Sequence, residues 1–225
     1  PFPEELSVRF YAAYGGVSVL CRETASPQLG SLNSGLQLYR IKFALPEKFA
    51  RIRYALHLPQ YLSFILTGKV YSEITSIGCH THLWDYSAKN YHRWVTEEGL
   101  GRLMPPLLRA DAIAGHTAKG VPVGVGLHDS SAALIPYLRS FQEPFALIST
   151  GTWCISLNPF NQDPLTDTEL KQDCLCYLTW EGRQVKASRL FAGHHLQMQK
   201  MRMKKHFSLS DELPDDARLD IPLLN

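Results

Sequence analysis

Charge of one sign, paired cysteines and long apolar runs are all scarce in this sequence. Its 23 Lys and Arg stand against 21 Asp and Glu, for a formal net charge of +2. The charges are spread along the chain, so a nucleic-acid partner has no electrostatic footprint beyond residues 200–205, and that basic run reads as a solvated helix face. The cysteines number five, odd and irregularly spaced, which excludes a disulfide framework. Cys174 and Cys176 would share one face of a strand, but no second pair completes a zinc site. They read as buried free thiols of a reducing compartment. No apolar stretch approaches the roughly 18 residues of a membrane span, and no signal-peptide pattern is visible. A soluble, cytoplasmic chain with no membrane partner is expected.

The chain is 225 residues long, enough for one good core or two small ones. Residues 6–21 are rich in Val, Phe, Tyr and Leu and break at Tyr14-Gly15-Gly16, which predicts a strand, a glycine turn and a second strand. Leu36, Leu38, Tyr39, Ile41 and Phe43 mark a helix that stops before Pro46. Residues 49–67 form a second helical region around Pro59, with Gly68 as its C-cap. His80 and His82 are two apart and on a strand would share a face. No carboxylate or cysteine cluster joins them in sequence, so polar lining or structural use is preferred over a metal site. Trp84 is read as core, with stacking on a ligand as the other option.

Beyond Pro105-Pro106 and the polar stretch 111–120 the pattern turns from helix-rich to strand-rich. That change places a domain boundary there, giving units 1–115 and 116–225. Residues 174–180 and 184–188 read as strands joined by Glu181-Gly182-Arg183, forming a three-stranded meander with residues 145–157. A helix is expected over 190–207, its methionines serving as packing, and the acidic tail 208–225 has no clear period.

The chain is organised around residues 121–157. An apolar strand there ends in a glycine-flanked turn that delivers His128 and Asp129, and the small residues of 130–133 open a helix. After a polar break, a second strand carries Ser149-Thr150-Gly151-Thr152 at a bend. Glycine there lets a backbone approach an anion, and the flanking hydroxyls and amides can donate to it. A carboxylate to take a proton from an alcohol, together with donors for a phosphate, is what phosphoryl transfer to a hydroxyl needs. Taken by itself, Asp129 reads first as the cap of that helix, and a helix N-terminus favours its negative charge in either role.

This pair of motifs resembles those of the FGGY carbohydrate kinases, the rhamnulokinase-like and fuculokinase-like members above all. The resemblance extends over most of the chain. Ile41-Lys42 and Pro46-Glu47 fit a helix end of that family, although Arg40 stands where tryptophan is usual. Leu66-Thr67-Gly68 fits a connection to a segment near the cleft that here holds Ser72 and Thr75-Ser76.

The resemblance implies an α/β, actin-like (ribonuclease H-like) two-domain kinase fold, incomplete at both ends. Residues 1–115 would be the later part of the sugar-binding domain and residues 116–225 the earlier part of the ATP-binding domain. It implies ATP and Mg²⁺ as cofactors, a small-molecule sugar as partner, and room for a homodimer. Asp129 would be the catalytic base, Tyr14, Gly15 and His128 substrate-binding, and Gly151 and Thr152 in contact with the ATP phosphates, with no residue assigned to metal. An ordinary turn is an equal reading of Tyr14-Gly15. L-Rhamnulose or L-fuculose is favoured as substrate, with xylulose and related sugars open. No Asp-x-Gly-Thr/Ser phosphate turn precedes Leu6 and no glycine-rich adenosine segment follows, so a middle portion of a longer kinase is expected. The competing expectation is a non-catalytic sugar-binding or regulatory protein on an actin-like scaffold, or an inactive fragment.

Overall fold

Two helices, not two strands, open the chain in the computed structural model, which describes residues 2–151 and 153–208. Helix α1 (Glu4–Ala13) and α2 (Gly16–Glu23) meet at Tyr14-Gly15, and Gly15 and Gly16 both take φ +88°. The aromatic content of residues 6–21 suggested strands, but the burial has helical spacing: Phe10, Tyr11 and Tyr14 on one side of the turn, Leu20 and Cys21 on the other. Glu4 and Glu5 sit in the first turn of α1, where acidic side chains complement the helix dipole.

The next elements follow the sequence more closely. Helix α3 (Ser34–Ala44) ends before Pro46, which starts the short α4 (Pro46–Ala50); proline fits a first helical turn because its missing N–H has no intrahelical partner. Helix α5 (Leu58–Thr67) begins with Pro59 in its first turn and stops at Gly68 in the left-handed conformation, φ +69°. Helix α6 (Ile74–Ile77) is one turn long and capped by Glu73. Strands β1 (Trp84–Asp85) and β2 (Asn90–Tyr91) pair antiparallel, and α7 (Arg93–Glu97) follows.

These elements enclose an aromatic core. Phe10 is fully buried, with ring centroids 5.0–5.3 Å from those of Tyr11, Tyr14, Tyr39 and Trp94. Such tilted and edge-on contacts add to plain area burial. Trp84 belongs to this core rather than to an open face. His80 and His82 lie in a turn at φ +40° and +62°, not on a strand. His82 is completely buried between the Tyr11 hydroxyl (3.0 Å) and the Thr24 hydroxyl (2.8 Å), while the Trp94 indole N–H donates to its carbonyl at 2.6 Å.

Strands β3 (Ile113–His116) and β4 (Pro122–Gly124) form an antiparallel pair packed against α5. Helix α8 (Asp129–Ser140), β5 (Leu147–Ser149), β6 (Cys154–Asn158), α9 (Asp167–Lys171), β7 (Cys174–Leu178), β8 (Gln184–Leu190) and α10 (Ala192–Phe207) complete the order. The spatial strand order is β5-β6-β8-β7, so the expected meander is corrected: β8, not β7, neighbours β6. The β7–β8 hairpin has the anticipated register, from Cys174 opposite Ser188 to Leu178 opposite Gln184, with Gly182 at φ +81° in its turn. Helix α9 carries a full capping box, Thr166 with Glu169, a Thr-x-x-Glu signature that is visible in the sequence.

Two compact units divide the chain, Pro1–Ile148 with Ser156–Ser188, and Ser149–Ile155 with the chain from Arg189 on. Among the described residues no helix is long and apolar enough to cross a membrane.

Candidate active site

The turn between β4 and α8 is fastened to α5 from below. Ser63 donates its hydroxyl to the Gly124 carbonyl and Gln60 its amide to the Gly126 carbonyl, each at 2.8 Å. Gly126 takes φ +82°, and a Cβ there would lie 2.8 Å from the Pro59 carbonyl oxygen. Both the conformation and the close approach require glycine. The chain then rises through Leu127 to His128, the N-cap of α8, and Asp129, its first residue.

His128 is gripped on several sides. Its backbone N–H donates to Thr75 Oγ1 at 3.0 Å, and its Nε2 lies 2.9 Å from Cys79 Sγ. The ring stacks on Tyr177 with centroids 5.3 Å apart and planes 22° apart. Its Nδ1 is buried without a hydrogen-bond partner. Burial lowers the His128 pKa, and the neighbouring Asp129 pulls it partly back up; the imidazole is therefore neutral at pH 7. His57, whose Nε2 lies 3.1 Å from the Ser34 hydroxyl, is pushed down to about 4 by burial, with His128 adding to the effect.

Asp129 is the opposite case. Its side chain is 92% exposed, with Oδ1 3.3 Å from His128 Nε2. Oδ1 also accepts the Ser130 N–H at 2.6 Å and is 3.3 Å from the Ser130 hydroxyl. Asp129 does not cap α8, because His128 occupies the N-cap position. The carboxylate stands at the open end of a twelve-residue helix, whose free N–H groups favour negative charge. The first turn of α8 is held in place by Ser131, whose buried hydroxyl donates to the Leu178 carbonyl of β7 at 2.7 Å.

The other residues singled out from the sequence lie elsewhere. Tyr14 is 4% exposed in the aromatic core, and its hydroxyl donates to Glu98 Oε1 at 2.8 Å. Gly15 is the N-cap of α2. The Tyr14 ring packs against Phe10 and Trp94, while Gly15 is exposed at the turn. Gly151 sits on an exposed bend between β5 and β6. A Cβ placed on it would have open space, meeting the Trp153 carbonyl oxygen only at 3.8 Å. Thr152 lies outside the described residues. Beside the bend, the Trp153 ring stacks on Phe191 at 4.4 Å.

Sequence reasoning did not name Thr75, Cys79 and Tyr177 as partners of His128, nor Glu73 as the partner of Thr75, although Thr75 falls in the Ser/Thr-rich segment expected near the cleft. Cys79 and Thr75 reach His128 across 49 and 53 positions of chain, and no local periodicity announces such contacts. Among the described residues, no group of three or more His, Cys, Asp or Glu side chains is arranged to hold a metal ion.

No family model matches the sequence, and no curated protein matches it. Solved structures do. A carbohydrate kinase from Novosphingobium aromaticivorans is similar with a TM-score of 0.75 and 28% identity over 88% of this chain and 44% of that one. A ligand-bound xylulose kinase from Lactobacillus acidophilus is similar with a TM-score of 0.73 and 14% identity, over 94% of this chain and 44% of that one. A gluconate kinase from Lactobacillus acidophilus follows with a TM-score of 0.67 and 14% identity, over 81% and 38%. The chain thus spans less than half the length of each of these kinases. It carries a portion of the actin-like α/β fold of two-domain carbohydrate kinases.

Proposed function

We propose that this chain is part of a cytoplasmic, ATP-dependent carbohydrate kinase of the FGGY kind, acting on a hydroxyl of a ketose or deoxyketose such as L-rhamnulose or L-fuculose. Residues 1–115 would belong to its sugar-binding domain and residues 116–225 to its ATP-binding domain. One observation carries this reading. Asp129 presents an exposed carboxylate at the N-terminus of α8, directly after a tightly held histidine.

In this reading Asp129 accepts the proton of the attacking sugar hydroxyl as its oxygen bonds to the γ-phosphorus and the bond to ADP breaks. The neutral His128, 3.3 Å from Asp129 Oδ1, orients that carboxylate. The ATP phosphates would meet the chain at Gly151, a reading supported by its exposure and the open space beside its Cα, with Thr152 as the other expected contact. When bound, ATP supplies the phosphoryl group, and Mg²⁺ neutralises charge on the phosphates. Tyr14 is left out of the site, since its ring is buried in the aromatic core.

Sugar-dependent ADP release by the longest natural form of the protein tests the proposal. Turnover with a ketose or deoxyketose that disappears in Asp129→Asn supports it. Sugar affinity with no turnover in the wild type would instead favour a sugar-binding protein on the same scaffold.

A further inference from the structure

The place of Asp129 is set by the residue before it, and the backbone of that residue is held by a buried polar chain from another part of the fold. Glu73 and Thr75 are both completely buried. Glu73 accepts the Thr75 N–H at 3.0 Å on each carboxylate oxygen and the Ser76 N–H at 3.3 Å. It also accepts the Thr75 hydroxyl proton at 2.5 Å. Thr75 Oγ1 in turn accepts the His128 N–H at 3.0 Å.

The direction of this chain follows from what each group can do. The Thr75 hydroxyl has one proton, and it is directed at Glu73 Oε2. The remaining lone pairs of Oγ1 then face the His128 amide, which can only donate. Capping of α6 explains the backbone bonds to Glu73. It does not explain why Thr75 Oγ1 accepts the N–H of an amide 53 positions away. The His128 side chain makes no cap hydrogen bond to α8, so the start of that helix is located by outside partners instead of by its own cap.

We infer that Thr75, oriented by Glu73, is a positioning residue for phosphoryl transfer: it fixes the His128 amide and thereby the place of the Asp129 carboxylate. The inference rests on the reading of Asp129 as the base. A base displaced by a fraction of an ångström loses rate without losing substrate affinity, because geometry at the reacting atoms enters kcat more than binding.

The test compares Thr75→Val, Thr75→Ser and Glu73→Gln in the longest natural form, reading kcat, the sugar KM and hydrogen exchange at the His128 amide. Thr75→Val, close in shape but without a hydroxyl, should lower kcat by about 10- to 100-fold with the sugar KM held within about threefold. It should also speed exchange of the His128 amide. Thr75→Ser keeps the hydroxyl and should restore kcat to within about threefold of wild type. Glu73→Gln introduces an amide that donates as well as accepts, so it should lower kcat in the same sense and serves if Thr75→Val does not fold. An unchanged kcat in Thr75→Val or Glu73→Gln overturns the inference, as does a Thr75→Ser variant as slow as Thr75→Val. Should the wild type release no ADP with any sugar, the reading of Asp129 falls by itself. Amide exchange then decides separately whether Thr75 holds residue 128, and unchanged exchange in Thr75→Val overturns that too.

Discussion

His82 and His128 stand in one compact unit and are treated in opposite ways. Both nitrogens of His82 have partners, the Tyr11 and Thr24 hydroxyls, and its carbonyl takes the Trp94 indole N–H. Nothing of its side chain reaches solvent. At His128 one ring nitrogen is engaged and the other is buried without a partner, and the next residue pushes a carboxylate almost fully into water. A saturated polar network rigidifies a core, whereas an incompletely satisfied one stores the capacity to act on something else. The contrast sets a saturated core histidine beside one that is only partly engaged and borders an exposed carboxylate.

The sharpest way to break this comparison is to exchange the consequences of mutation between the two places. Asp129→Asn should cut sugar-dependent ADP release by about 10²–10⁴-fold, the usual contribution of a general base. The melting temperature should move little, because the side chain is 92% exposed. A large fall in melting temperature with proportionate activity would instead make Asp129 a structural residue.

Acid should act on the other histidine. Burial lowers the His82 pKa from 6.5 to about 3, with His80 and His92 adding to the effect. The unfolded chain therefore binds a proton below pH 6.5 that the folded chain refuses until about pH 3. The stability contributed by the neutral ring is complete above pH 6.5 and declines as the pH falls toward 3, by up to about 1.4 kcal/mol per pH unit. Denaturant midpoints at pH ~7.5 and ~4.5, on either side of the unfolded-state value, check this. Equal midpoints would contradict a buried neutral His82.

Gly126→Ala should touch both properties. The added Cβ meets the Pro59 backbone in a left-handed conformation, at a cost of about 2–3 kcal/mol in stability, and it pushes on the turn that delivers Asp129. Calorimetry together with the kinase assay should show both losses. Tyr11→Phe has the smallest expected effect. It leaves His82 Nε2 unpaired and should cost about 1–2 kcal/mol while the rate per folded molecule stays unchanged; a selective loss of kcat there would blur the distinction.

The sequence disclosed some parts of this arrangement and hid others for physical reasons. The start of α8 was legible because strand, glycine turn and small-residue helix are local signals, and Asp129 was found one position inside the expected cap. Helix ends at Pro46 and Gly68 were legible for the same reason. The opening helices were not, because Phe10 and Tyr11 are strand formers by propensity, and it is tertiary packing, of Phe10 on Tyr39 and Trp94 and of Tyr11 on His82, that favours the helix. The strand order was hidden because adjacency of β6 and β8 is a long-range choice. Likewise, the grip of Thr75, Cys79 and Tyr177 on His128, with Glu73 behind Thr75, joins segments that no sequence window contains.

The central claim is that the exposed carboxylate of Asp129 is the base of a sugar kinase. Its most direct test is ADP release by wild type and Asp129→Asn side by side, in the longest natural form, against L-rhamnulose, L-fuculose and D-xylulose. The expected result is turnover with at least one of these sugars in the wild type, and its loss in Asp129→Asn with sugar binding retained. Equal rates in the two proteins would contradict it.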